Sequence, residues 1–317
     1  MGIKFFLQRV NIVNKSYILL KWREKKVSYG NDNSDKTFYV IRRANSKCGL
    51  FSYVSTMMGG VKFALDNGYI PVIDMQNEKN TYLDDEKVGL VNSWEYYFKQ
   101  PANYSLEDIK YSKNIILSNG VLKSTDYYPS VEVGWDEGEY IKWHDFCGKY
   151  LKISDRLNKK FEDDFNILSE NGEKKILGVL VRGTDYISTS PKNHPIQPDV
   201  TQIMEKIDEQ LMCGEYDAIY LATEDADIYV TLKGKYGELL HAPRVKRYSQ
   251  KEVDNINDAS EDRLDDKRLK GEEYLESIWF LSRCKGLIAG NVSGTIGALL
   301  MNDAYEYKYI FNLGVYM

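Results

Sequence analysis

No part of this 317-residue chain approaches the ~20 consecutive apolar residues that a bilayer-spanning helix requires, so no membrane span is expected. The N-terminus lacks a clean apolar stretch followed by a small-residue cleavage site, so no secretory signal is expected either. Metal-binding residue types are scarce. There are three histidines and four cysteines, and Cys48, Cys147, Cys213 and Cys284 fall in no C-x-x-C or Cys/His zinc spacing. Three of those cysteines sit in or beside apolar stretches, which fits reduced thiols in a cytoplasmic protein and predicts no metal site. Basic charge is also in deficit. A net charge of -5 excludes a general nucleic-acid binder, which needs a cationic surface to neutralise phosphates. Repeats and low-complexity tracts are absent.

What is present is the composition of a soluble globular protein: 43% hydrophobic and 28% charged residues, with a mean hydropathy of -0.47. The length suffices for two domains, each with its own core. One segment departs from the average charge. Residues 1–26 carry Lys4, Arg9, Lys15, Lys21, Arg23, Lys25 and Lys26 against the single acid Glu24, interleaved with aromatic and aliphatic residues. Such a segment suits peripheral contact with an anionic membrane face; a packed helix or strand with solvated lysines fits the same residues.

The first half is irregular. A strand is expected over 38–42, a turn at 48–51, and a helix over 51–67 with Gly68 where a C-terminal cap belongs. Short strands follow at 69–74 and 114–117, and an amphipathic helical pattern runs within 140–168. The second half alternates. Strands are expected at 175–181, 218–223, 286–289 and 307–311, with helices at 197–212, 227–236, 272–284 and 294–301. Fully apolar strands alternating with helices predict a parallel sheet covered on both faces. The polar stretch 166–174 divides the halves, giving an N-terminal lobe over 1–168 and a C-terminal lobe over 169–317.

Ligands of such sheets sit beyond the carboxyl ends of the strands, and three loops there are polar. The strand of Gly178-Val179-Leu180-Val181 delivers Arg182, Gly183, Thr184 and Asp185. The guanidinium is a planar fork for a phosphate, and Gly183 lets a ligand approach the backbone. The next strand ends in Thr223, Glu224 and Asp225, and the third in Asn291, Ser293, Gly294 and Thr295 at the start of a helix. A helix N-terminus with small hydroxyl residues offers free N–H donors to a phosphate. Each loop also has a plainer explanation. Glu224 and Asp225 suit the first turn of a helix, and 291–295 suits an N-cap. Together the three loops fit a diphosphate site with acid–base groups beside it. His194 lies in the same loop region, whereas His144 and His241 suit structural roles.

These motifs resemble those of the fucosyltransferase superfamily, which includes α1,6-fucosyltransferases, bacterial Nod-factor fucosyltransferases and protein O-fucosyltransferases. Val179-Leu180-Val181-Arg182-Gly183-Thr184-Asp185 is similar to the family's V-H-V-R-R-T-D, and His194-Pro195-Ile196 to its H-P-I. Tyr220-Leu221-Ala222-Thr223-Glu224-Asp225 is similar to Y-L-A-T-D-D, and Leu281-Ser282 through Asn291-Val292-Ser293 to the third motif. The resemblance covers roughly residues 175–305, with weaker counterparts at 48–51 and 92–98.

The resemblance implies a two-lobed α/β fold of the GT-B type, whose C-terminal lobe is a Rossmann-like parallel sheet with helices on both faces. It implies inverting, metal-independent transfer of fucose from GDP-fucose to a glycan or polysaccharide-precursor hydroxyl, with no cofactor besides the nucleotide sugar. Arg182 would hold the β-phosphate, and Ser293 and neighbouring amides would seat the diphosphate. Asp185 would orient Arg182 or the sugar, and Glu224 and Asp225 would line the donor site. Several family positions differ here. The guanine-reading histidine is Leu180, its partner aspartate is Ser277 (beside Glu276), the second arginine is Gly183, the following lysine is Tyr186, and the proposed base is Ser190. Glu224, Asp225 and Asp199 are then the candidate bases. Two other readings fit these differences: a transferase of another nucleotide sugar, and a non-catalytic nucleotide- or carbohydrate-binding relative.

Overall fold

In a computed structural model, residues 22–121, 123–183, 192–249, 260–302 and 305–317 are described. Thr184, Asp185, Tyr186 and Ser190 lie outside them, as do residues 1–21 of the basic N-terminal segment.

Two sheets organise the chain. The first has strands β1 (Lys25–Val27), β2 (Phe38–Ile41), β3 (Ile70–Ile73) and β4 (Ile115–Leu117) in the order β1-β4-β2-β3. β2 runs parallel to β3 and β4, and β1 pairs antiparallel with β4. Helix α1 (Leu50–Asp66) joins β2 to β3. Gly68, at φ 72°, follows its C-terminus in the left-handed region where glycine meets no steric cost.

The second sheet holds β5 (Ile176–Leu180), β6 (Ala218–Ala222), β7 (Leu240–His241), β8 (Gly286–Ala289) and β9 (Tyr307–Ile310) in the order β7-β6-β5-β8-β9, all parallel. Its helices are α4 (Val200–Met212), α5 (Ala226–Tyr236), α6 (Asp266–Arg283) and α7 (Ser293–Met301). Alternate residues of β5 serve opposite faces. Leu177 and Val179 pack with Ile203 and Ile207 of α4 and Leu232 of α5, whereas Ile176 and Leu180 join a core shared with α6 and α7. Burial on both faces explains why these strands read as unbroken apolar runs. The α/β fold expected from the sequence is therefore the one observed, with parallel strands and helices on both sides.

The expected strands recur, and two unexpected ones join them, β1 and the two-residue β7, which are too short for a periodic signal. The helical pattern within 140–168 is two helices, α2 (Glu137–Tyr150) and α3 (Asp155–Leu168). The break has a specific cause. Ile153 forms a β-bridge to Phe98, and the Lys99 and Ser154 amides donate to the Lys152 and Tyr97 carbonyls, so the intervening backbone is drawn into extended form. α6 starts at Asp266, earlier than expected. Its first turn is polar because it meets the N-terminal lobe: Lys87 pairs with Asp265 at 2.6 Å, and the Tyr97 hydroxyl donates to the Arg268 carbonyl at 2.9 Å.

α7 is apolar nearly all round and buried from Gly294 to Leu300, packed by α1, α2 and α6. The Phe51 ring of α1 lies 2.2 Å from where a Gly297 Cβ would be, so only glycine lets these helices approach. α2 and α3 precede residue 168 in the chain and pack on α7 and α6 respectively. Among the described residues no helix is long and apolar enough to cross a membrane.

Gly297→Val is expected to force α1 and α7 apart and to cost about 1–3 kcal/mol as overpacking; a melting temperature equal to that of the parent protein would contradict this. Burial holds the thiols of Cys48, Cys147 and Cys284 above the ordinary range, Cys147 at about 12, while Cys213 is exposed. A raised pKa leaves little thiolate at pH 8. Native protein treated with iodoacetamide at that pH should carry its label on Cys213 by mass spectrometry, and rapid labelling of Cys147 or Cys284 would show the core is less closed.

Candidate functional site

Strand register sets the site. Leu180 lies opposite Ala222 on one side and Ala289 on the other, so three neighbouring strands end level. Two residues beyond that line come Arg182, Glu224 and Asn291. These ends open on a cleft of about 630 Å³ that residues of both lobes line.

Arg182 lines the cleft and is 19% exposed, with its Nη1 3.5 Å from Glu224 Oε1. The same Glu224 oxygen accepts the Gly183 amide at 2.9 Å, so one carboxylate fixes both the arginine and the turn behind it. Segment 245–248 continues past β6. The Tyr248 amide donates to the Glu224 carbonyl and the Ala226 amide to the Tyr248 carbonyl, which brings Lys246 and Tyr248 to the wall. Thr223, Ser293 and Gly294 also line the cleft. α7 starts at Ser293 with Val292 as its N-cap. It has no side-chain cap and no acid in its first turn, so its leading amides remain available to an anion.

Other expected residues do work behind the wall. Asp225 is buried and caps α5, accepting the Asp227 and Ile228 amides at 2.9 and 3.0 Å. A Cβ on Gly183 would lie 2.3 Å from Asp225 Oδ2, so this glycine makes room for the cap. Asn291 donates to the Val131 carbonyl at 2.8 Å and thereby ties the third loop to the segment leading into α2. Thr295 is fully buried and donates to the Gly290 carbonyl at 2.5 Å. Asp199 is exposed in a capping box with Gln202 and does not line the cleft. His194 does line it, whereas His241 is on edge strand β7 and His144 packs on Tyr140. Leu180 and Ser277 both line the cleft, and Ser277 Oγ donates to the Glu273 carbonyl at 2.9 Å.

No protein-family model matches the chain, and no curated protein is similar to it in sequence. Solved structures are similar in fold. A crystal structure of NodZ α-1,6-fucosyltransferase soaked with GDP-fucose matches with a TM-score of 0.50 at 15% identity, over 84% of this chain and 93% of that one. NodZ co-crystallised with GDP matches with a TM-score of 0.50 at 14% identity and the same coverage. The shared fold is GT-B.

Another part of the wall follows the first sheet, and the sequence reading missed it. Arg43 follows β2, and Asn45, Lys47, Gly49 and Ser52 lead into and begin α1. The signal was available: an apolar strand followed by arginine and then by a glycine-started helix repeats the logic of Val181-Arg182. α1, like α7, has neither a side-chain cap nor an acid in its first turn. A further cation, Arg263, lies among carboxylates, with Asp266 at 2.7 Å and Glu273 at 2.5 and 2.8 Å. Those hydrogen bonds, to Glu273 foremost, hold its guanidinium above the ordinary arginine range.

Gly183→Ala is expected to displace Asp225 from its cap on α5 and cost about 1–3 kcal/mol. The check is thermal unfolding together with the protection of the first α5 amides in hydrogen exchange; unchanged protection would mean the cap does not depend on this glycine.

Proposed function

We propose that this protein is a glycosyltransferase that binds a nucleotide-diphosphate sugar in the cleft, with GDP-fucose as the donor and a glycan or polysaccharide-precursor hydroxyl as the acceptor. The observation that carries the proposal is the level ending of β5, β6 and β8, which sets Arg182 and the bare N-terminus of α7 in one cleft between two lobes. NodZ, the protein of like fold, was soaked with GDP-fucose and co-crystallised with GDP.

The chemistry asked of this chain is charge stabilisation. As the bond between the anomeric carbon and the β-phosphate oxygen breaks, its electron pair leaves with the nucleoside diphosphate. Arg182 and the α7 amides face the growing negative charge, in place of a divalent ion. The acceptor oxygen bonds to the anomeric carbon from the opposite side, which inverts it, and the acceptor proton passes to a carboxylate. Of Glu224, Asp225 and Asp199, only Glu224 lines the cleft. We assign it the positioning of Arg182, on the leaving-group side, so the acceptor proton goes to a carboxylate on the other side of the sugar; Asp185 lies outside the described residues. Thr223, Ser293 and Gly294 would border the diphosphate, with Gly183, Asp225, Asn291 and Thr295 supporting the loops. A cytoplasmic setting, with residues 1–26 touching the inner membrane face, belongs to the same proposal.

Leu180 and Ser277 favour a second reading, in which the transferase uses a base other than guanine, because neither side chain brings a charge to the cleft. A thermal-shift series with GDP, UDP, ADP, CDP and their sugar conjugates separates the two. A nucleotide at one hundred times its Kd stabilises by about 2.7 kcal/mol. Arg182→Ala is expected to lower donor turnover by about 10²–10³-fold and to weaken nucleotide binding. Wild-type binding and turnover in that variant would sink the assignment.

A further inference from the structure

The cleft carries another arginine besides Arg182, on the part of the wall that follows the first sheet. Arg42 and Arg43 are adjacent in sequence and take different roles. Arg42 turns onto the Ser118 carbonyl and the Trp22 ring. Arg43 lines the cleft. Its Nη1 donates to the Ser52 carbonyl and to Thr56 Oγ1 at 2.8 Å, its Nη2 donates to Ser52 Oγ at 3.0 Å, and the guanidinium lies 4.9 Å from the centre of the Tyr53 ring. All of these partners are neutral, so the first turn of α1 fixes the group while no carboxylate among the described residues cancels its charge. Both Nη1 protons and one Nη2 proton are used. Among the described residues the Nε–H and the second Nη2–H have no acceptor, and they are the pair that a planar guanidinium offers side by side to an oxyanion. Arg263, in the same cleft, shows the contrast: carboxylates occupy its fork.

We infer that Arg43 is the seat for an anionic group on the acceptor, so that the acceptor saccharide bears a carboxylate or a phosphate. The inference rests on the glycosyltransferase reading and adds the acceptor's chemical class. A nucleoside diphosphate has one pair of phosphates, and Arg182 with the N-terminus of α7 already forms a seat at the ends of the second sheet. Arg43 comes from the first sheet, on the part of the cleft built by the N-terminal lobe, which the glycosyltransferase reading gives to the acceptor. The uncapped start of α1, with Gly49 and Ser52 beside Arg43, adds amides of the same preference.

The test uses the full chain and three probes: a glucuronate-containing disaccharide, its neutral glucose counterpart, and the counterpart bearing a phosphate. Saccharide binding is measured by calorimetry without nucleotide, and GDP binding separately. The wild type should bind one or both charged probes at least about tenfold more tightly than the neutral one, and the two charged arms identify which anion is preferred. Arg43→Gln should abolish that preference, with a loss for the saccharide at least about tenfold greater than any change in GDP affinity. Arg43→Lys should restore part of it, because an ammonium supplies charge without the planar edge. Equal binding of charged and neutral probes by the wild type overturns the inference. So does an Arg43→Gln loss as large for GDP as for the saccharide, which would give Arg43 to the donor. Failure of every nucleotide to bind, with the Arg43-dependent preference intact, would instead overturn the transferase reading and leave the anion seat standing.

Discussion

The rest of the structure depends on the burial of α7. A nine-residue helix with almost no polar side chains cannot face water, and here α1, α2 and α6 enclose it. That enclosure joins the lobes, because Phe51 of one lies against Gly297 of the other. It also aims the helix start at the cleft, since Ser293 is the one half-buried residue before seven buried ones. Packing and the placement of an uncapped helix start at the cleft are thus two results of one constraint. The helix axis is held by apolar contact, and its cleft end carries leading amides with no side-chain cap among the described residues.

Three helices, α1, α6 and α7, begin at the cleft, and two of them, α1 and α7, lack local compensation. α2, α4 and α5 each have an aspartate accepting backbone amides at the N-cap, and α3 and α6 have an aspartate in the first turn. α1 and α7 have neither. A missing cap typically costs about 1 kcal/mol, and here the cost falls at the cleft. Arg263 with its three carboxylates shows that the same cleft also holds charge that is balanced internally.

The second sheet was legible in the sequence for a physical reason. Strands buried on both faces have no polar positions, so 175–181, 218–223 and 286–289 stand out as apolar runs with polar ends. Arg182, Glu224 and Ser293 follow from that pattern. Less legible was which polar residue at a strand end faces a ligand and which closes a turn. Asp225, Asn291 and Thr295 have the right chemistry for a site, yet they hydrogen-bond to backbone groups behind it. Sequence spacing cannot distinguish these roles, because a cap and a ligand contact use the same side chains within a few residues of each other. The first lobe was the least legible. Its strands are three or four residues long, and its wall is built from Arg43, Gly49 and Ser52, whose convergence depends on how β2 enters α1.

The packing of Phe51 against Gly297 also bears on how the chain is made. At ribosomal rates of about 5–20 residues per second, the synthesis of the two helices is separated by an interval on the order of tens of seconds. During that time the surface of α1 awaiting α7 has no native cover, and a continuous core drawing on both sheets cannot close. The nascent chain therefore passes through a stage in which its first lobe has strands but an open apolar face. A growing chain in that condition is a natural client for a holding chaperone, and a slow translation step between the lobes would lengthen the exposure.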